Sequence, residues 1–262
     1  MNPDVLAAAV ENNHFAYLAS FRKWSKVRVV EAPELLYLRS KIPFPLFNAH
    51  VRLRASFEEA KKRIAAAVRY AKDAGVPLAW YTGPQTKPLE TGKLLEKAGF
   101  KANDIAPGMA IAMADLKPVR PHGFDIRQVE SRGNFEGWQS VFEAGFNVPP
   151  AVSGAFVEAY TALGFAGASP THHFTASVEG KVAGCATVFM GAGAAGIYNI
   201  ATLPEFRGRG IGSALTLQTL HYGQAKGFRV GVLQASSEGL RMYRGLGFTE
   251  RCTIGIYAYT PE

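Results

Sequence analysis

Two seven-residue stretches, 148 positions apart, carry the same local instruction: "LLEKAGF" at 94–100 and "MYRGLGF" at 242–248. Each reads as the end of a short amphipathic helix, a glycine, and an aromatic residue entering a strand. The elements ahead of each copy match as well. In the first half, Ser56 and Glu59 form a capping box before a helix whose apolar residues Phe57, Ala60, Ile64, Val68 and Ala71 keep helical spacing. Gly75 stops that helix, "VPLAWYT" follows as a strand, and 89–98 as a helix before the apolar run "GMAIAMADL". In the second half a helix over 211–226 is closed by Gly227, "FRVGVLQ" is a buried-type strand, and 237–244 is a short helix before the strand in "ERCTIGIYAY". The helix-closing glycine and the glycine of the "GF" pair are 24 residues apart in one half and 20 in the other, the surplus fitting the loop "TGPQTKP". The shared order predicts a duplicated fold.

Earlier in the second half, "FDIRQV" alternates as a strand and 134–165 is helical with a break at "NVPP". "HFTASV" and "VAGCATVFM" flank Glu179-Gly180-Lys181 as a hairpin, and "GIYNIATL" is a further strand. Early antiparallel hairpins and a late strand–helix–strand unit imply a mixed α/β (α+β) fold. The two prolines, glycine and charges of "DLKPVRPHGFDIRQV" mark a seam at 117–123, which sets domains at 1–118 and 124–262.

Composition limits the function classes. The apolar stretches are broken by alanine and glycine, and none approaches the ~20 residues of a membrane helix. The N-terminus lacks a basic flank ahead of a long apolar run. Cys185 and Cys252 make neither a metal spacing nor a disulfide framework, so a reduced, cytoplasmic setting without a metal is expected. The net charge of +8 lies wholly in residues 1–124, with 19 basic and 11 acidic residues against 10 and 10 beyond. No zinc-finger spacing, RNA-recognition motif or dense basic run accompanies it, so neither a nucleic-acid nor a membrane partner is expected.

One loop belongs to the second half alone. In "IATLPEFRGRGIGSAL", Arg207, Gly208, Arg209, Gly210, Ile211 and Gly212 lead from a strand into a helix. Alternate glycines leave backbone N–H groups unshielded, and a helix N-terminus adds unsatisfied donors and partial positive charge. Such a cradle suits phosphate, with Arg207 and Arg209 adding full charges; the alternative reading is a flexible turn with solvated arginines. A dinucleotide fingerprint fails, because its third glycine would be Ser213, and no Gly-Lys-Ser/Thr triplet makes a P-loop.

The stretch resembles the acetyl-CoA loop of the GNAT N-acetyltransferase superfamily, Arg/Gln-x-x-Gly-x-Gly/Ala, here Arg207, Gly210 and Gly212. The likeness extends over roughly 125–262, through "VLQASSEGLRMYRGLGF" to the last strand. The first half resembles the degenerate N-terminal domain of tandem-GNAT proteins, with "VRLRAS" where the loop would be. The resemblance implies two GNAT-like domains, each a mixed, mostly antiparallel twisted sheet flanked by helices. It also implies acetyl-CoA as cosubstrate, with the amides from Arg207 to Ser213 on the pyrophosphate and Ile200, Ala201 and Thr202 beside the pantetheine arm. Tyr243 matches the tyrosine that protonates the departing thiolate in many members; Leu95 stands at its place in the first half.

The family's strand glutamate is missing, since Ile197, Tyr198 and Asn199 occupy that stretch. A water relay, or His172, His173 or Glu143, would have to take the proton. Phe142, Phe146 and Tyr160, with Tyr198 and Asn199, are the candidates for the acceptor pocket. The expected activity is acetyl transfer to a primary amine of a small molecule or amino acid, by a monomer or homodimer. A protein or peptide amine, or a CoA-binding sensor without turnover, are the alternatives. Because the first half lacks the backbone donors of the loop, calorimetric titration with acetyl-CoA is expected to give one site per chain; two equivalent sites would refute the degenerate reading.

Overall fold

The computed structural model describes residues 2–165 and 169–261, the side chain of Asp115 excepted. In chain order its helices and strands are α1 (Pro3–Ser20), β1 (Arg28–Glu31), β2 (Leu36–Arg39), β3 (Ala49–Val51), α2 (Phe57–Ala74), β4 (Leu78–Thr82), α3 (Thr91–Lys97), β5 (Lys101–Ala112), β6 (Asp125–Val129), α4 (Phe135–Phe146), α5 (Pro150–Leu163), β7 (Thr171–Val178), β8 (Lys181–Gly191), β9 (Ala194–Thr202), α6 (Ile211–Ala225), β10 (Val230–Gln234), α7 (Leu240–Leu246) and β11 (Thr249–Tyr259). This is a mixed α/β fold whose sheet strands are mostly antiparallel and flanked by helices.

The chain forms two compact units. The first comprises Met1–Gly108, Gln234–Ser237 and Glu250–Glu262; the second comprises Met109–Leu233 and Glu238–Thr249. The proline-rich seam at 117–123 falls inside the second unit and is not the division between the two. The last strand, grouped by sequence with the second half, belongs to the first unit, where Gly255 to Tyr259 pair antiparallel with Thr82 to Leu78.

In the first unit the strand order is β1-β2-β3-β4-β11 followed by residues 101–108 of β5. Strands β3 and β4 are parallel, with α2 crossing between them. Ala60, Ile64, Ala67 and Ala71 of α2 are buried against Leu78, Trp80, Phe100 and Tyr259. Three alanines on that face let the helix axis approach the sheet closely. Phe57, counted in the sequence as part of the apolar stripe, is 45% exposed, because it opens the helix at N1; Ala67 is buried where Val68 is only half-buried. The Ser56 side chain accepts the Glu59 amide at 3.3 Å, whereas the Glu59 carboxylate lies against Arg63, so half of the expected capping box is made. Helix α1 and strands β1 to β3 were not anticipated; α1 buries Leu6, Val10, Phe15 and Leu18 beside the polar Glu11 and His14 on the same helix.

In the second unit the last residues of β5 border β10, and the order continues β9-β8-β7-β6. Again one pair is parallel, β9 with β10, and a helix, α6, crosses between them. The duplicated punctuation folds identically. Gly99 and Gly247 adopt φ of 92° and 101°; Phe100 N–H donates to Leu95 O and Phe248 N–H to Tyr243 O, both at 3.0 Å. With Gly99 N–H on Glu96 O and Gly247 N–H on Arg244 O, each helix closes in a Schellman motif with a buried phenylalanine after it. Ser56→Ala is expected to lower the stability of the first unit by about 1 kcal/mol, the usual worth of an N-cap, read as a shift in urea midpoint with an unchanged slope.

Candidate functional site

Strand β9 brings the site residues together by leaving its pleat. Cys185 faces Ala201 and Thr187 faces Tyr198, so Ala186 alone opposes Asn199 and Ile200. This is a β-bulge, and Asn199 absorbs it at φ 53°, a conformation asparagine tolerates better than most residues. The groups displaced from the ladder find other partners. Trp138 Nε1 donates to Ala186 O at 3.2 Å, and Cys185 Sγ donates to Asn199 O at 3.3 Å. The Asn199 amide nitrogen donates to Tyr160 Oη at 2.7 Å and reaches Thr187 Oγ1 at 3.4 Å. Thr187 in turn meets His173 Nδ1 at 2.9 Å. Phe135, Trp138 and Tyr160 enclose the His173 ring.

On its β10 side, the described parallel register of β9 consists of Ala195 with Gly231 and Gly196 with Val232, and among the described residues it does not extend to 200–202. Three of the expected cofactor-binding residues, Ile200, Ala201 and Thr202, form this unpaired edge. A single 3₁₀ turn, Pro204–Phe206, then leads into the glycine loop.

The loop has the form of a cradle. Gly208 and Gly210 both adopt φ of 78°, and Gly210 is the N-cap of α6. A Cβ at either would meet nothing within 4 Å, so the backbone conformation itself selects glycine there. Ile211, Gly212 and Ser213 occupy the first turn of α6, where amides have no intrahelical acceptor. Arg207 folds back to donate from Nε to Thr202 O at 3.3 Å, and the Arg209 guanidinium lies 5.5 Å from the Phe206 ring centre. Both arginines are exposed.

Small residues seat these pieces. A Cβ on Gly184 of β8 would lie 2.7 Å from Ile211 and 2.9 Å from Leu215, so its absence admits the first turns of α6. One on Gly145 of α4 would lie 2.5 Å from the Ala201 side chain. Sequence reasoning passed over both positions; an isolated glycine inside an element is the signal that marks close approach.

Tyr243 lies on α7, whose Met242 Sδ would be 3.2 Å from a Cβ on Gly212. It is 8% exposed, and burial raises its phenol pKa to about 12, so the proton stays on oxygen at neutral pH. Among the base candidates, His172 is buried, with Nε2 within 3.1 Å of Ser169 O and Nδ1 within 3.1 Å of Tyr222 Oη. His173 is fully enclosed, and burial lowers its pKa to about 3. Glu143 alone of the three is only half-buried; its Oε1 accepts from Gln139 at 3.0 Å and from Ser153 Oγ. Phe146 is 46% exposed and packs on the buried Phe142, whereas Tyr198 is buried and Tyr160 belongs to the Asn199 network. Both cysteines are free, and no cluster of metal-ligating side chains occurs among the described residues. No helix there is long and apolar enough to cross a membrane.

Residues 138–248 match the acetyltransferase (GNAT) family, so this stretch carries a GNAT acetyltransferase domain. Solved structures share the fold over nearly the whole chain. A GCN5-related N-acetyltransferase from Kribbella flavida is 18% identical, with 96% of each chain covered and a TM-score of 0.69. One from Sphaerobacter thermophilus is 16% identical over 99% of this chain and 94% of its own, with a TM-score of 0.64. A tandem GNAT protein from the clavulanic acid biosynthesis pathway is 15% identical over 90% of this chain and 84% of its own, with a TM-score of 0.60. No curated protein sequence matches.

The enclosure of His173 has a measurable consequence. Its pKa falls from 6.5 in the unfolded chain to about 3 in the folded one, so below 6.5 the unfolded state binds the extra proton. The stability contributed is complete above pH 6.5 and drains away as pH falls toward 3. Urea midpoints for wild type are expected to decline across that window, and His173→Gln to flatten part of the decline; parallel curves would refute the assignment.

Proposed function

We propose that the chain is an acetyl-CoA-dependent N-acetyltransferase acting on a primary amine of a small molecule or amino acid. The observation that carries this reading is the pair of left-handed glycines at the head of α6, next to a strand edge that the bulge leaves unpaired. These residues suit a long ligand with a pyrophosphate at one end. The amides of 208–213 would take the phosphates, and Arg207 and Arg209 would add charge at the rim. The free edge of 200–202 offers alternating N–H and C=O groups to an amide-bearing arm, as a strand would. When bound, acetyl-CoA supplies an activated acetyl thioester.

The remaining chemistry falls to side chains. The neutral Tyr243 phenol holds a proton for the departing sulfur. Glu143, with solvent access and a fixed orientation from Gln139 and Ser153, takes the proton from the amine directly or through water. Asn199, in the stretch where many family members carry a glutamate, commits its side-chain amide to Tyr160 Oη and Thr187 Oγ1. Phe146 gives the acceptor an apolar wall. The first unit is a degenerate repeat of the same fold, sharing the strand–helix–parallel strand order and the Schellman helix end.

Thiol release from acetyl-CoA, measured against a panel of small amines and peptide amines, tests the reading. Turnover on small amines supports it; CoA binding with no turnover on any amine overturns it in favour of a sensor. Gly210→Asp is expected to abolish acetyl-CoA binding by calorimetry, whereas Gly210→Asn, which tolerates the same backbone without the charge, retains part of it. Tyr243→Phe should slow the chemical step by roughly 10²–10⁴-fold, the range for general acid catalysis, with little change in CoA affinity. Equal losses in both would assign Tyr243 to packing.

A further inference from the structure

The first unit holds an open cavity of about 560 Å³ whose charged lining residues are all cationic. Lys26, Arg28, Arg39 and Lys41 contribute to it, with Tyr70 and Ile42 as its less polar walls; no carboxylate lines it among the described residues. It gathers the start of β1, the end of β2 and the C-terminal part of α2. It therefore lies at the opposite end of α2 from Ser56, the place that corresponds to the glycine loop of the second unit.

Arg39 is the unusual member. Its guanidinium is sandwiched between the rings of Tyr70, 3.9 Å away, and Tyr37, 4.3 Å away. One terminal nitrogen is committed, donating to Leu38 O at 3.2 Å and meeting His50 Nε2 at 2.9 Å. That imidazole is buried, and burial together with the adjacent Arg39 charge holds its pKa well below 6.5, so it accepts as a neutral ring. The Nε–H and the other terminal nitrogen keep their donors, and no carboxylate neutralises the group among the described residues. Burial without an anion lowers even the arginine pKa to about 10.

A half-buried guanidinium is rarely left with its side-on fork uncompensated, because its desolvation then goes unmatched. The cavity floor is also fixed in advance. Asn48 accepts from Ser40 N–H at 2.8 Å and donates to Ile42 O at 2.9 Å, and Tyr70 Oη donates to Ser40 O at 3.2 Å. These bonds hold the turn that carries Lys41 without any ligand.

We propose that this cavity is a binding site for a multiply charged oxyanion of the phosphate-ester class, gripped by the Arg39 fork and neutralised by Arg28 and Lys41. The site belongs to the first unit and does not depend on the acetyltransferase reading. It assigns a ligand-binding role to the half of the chain that lacks the glycine loop. The basic excess of residues 1–124 then has a local purpose in addition to solvation.

The test uses the full chain with inorganic pyrophosphate as probe. Binding is followed by the Arg39 Nε–Hε and Ile42 methyl resonances, which report on this cavity and not on the loop of the second unit. Saturable shifts of both signals, weakening with added salt, are expected. Arg39→Lys keeps the charge and loses the fork, and Lys41→Glu reverses an exposed charge. Each is expected to weaken binding about tenfold or more, with the thermal midpoint of Lys41→Glu unchanged. Absence of shifts, or affinities unaltered in both variants, overturns the proposal. Acetate saturating the same signals at equal concentration also overturns it, because a single carboxylate would then suffice.

Discussion

Much of the second unit depends on one backbone departure, the left-handed turn at Asn199. A regular β9 would keep its register with β8 to the end of the strand. The bulge redirects the strand after Tyr198, and its parallel pairing with β10 has already ceased at Gly196. A strand edge in the interior of a sheet is costly unless its polar groups are met. On the β8 side the debt is met internally, by Trp138 on the Ala186 carbonyl and Cys185 on the Asn199 carbonyl. On the other side the edge is left open, beside the helix N-terminus that the glycine loop creates. Two sets of unsatisfied backbone groups thus converge on one end of the unit.

The same economy explains the buried polar residues around the bulge. Asn199, Tyr160, Thr187 and His173 form a chain of contacts between 2.7 and 3.4 Å inside a shell of aromatic rings. A network of this kind specifies a single backbone path, because any slip in β9 strands several polar atoms in an apolar interior. The cost is carried by His173, whose Nε2 lacks a partner among the described residues and whose ring is confined to the neutral form. His173 is held inside this network, and His172 is held outside it by Ser169 O and Tyr222 Oη; of the three residues considered as bases, Glu143 is the one that is not fully buried.

The two units solve the helix–strand junction in the same way and diverge where a ligand would sit. Leu95 and Tyr243 occupy equivalent places in the two Schellman motifs, each giving its carbonyl to the phenylalanine that follows the glycine. Leu95 is fully buried in an apolar core, whereas Tyr243 keeps a phenol. Ahead of α2 stands Ser56, a side-chain cap that satisfies the Glu59 amide; ahead of α6 stands Gly210, which satisfies none. One helix end is capped by its own side chain, and the other has no side-chain cap.

The local features were legible in the sequence because they depend on neighbours in the chain. The glycine loop, the two "GF" helix ends, the Ser56 cap and the hairpin at Glu179-Gly180 all rest on backbone conformations that particular residue types permit within a few positions. The apolar spacing of α2 marked its buried face, with an exception at Phe57, because a helix start is solvated whatever its residue. Tertiary structure alone decided that β11 packs with the first unit and that 117–123 is not the division. Those outcomes turn on which strand edge is available, and pairing partners far apart in sequence leave no periodic trace. The bulge at Asn199, the clearance at Gly184 and the sandwiched Arg39 were invisible for the same reason: each is defined by groups from other elements, and only folding brings those groups within a few ångströms.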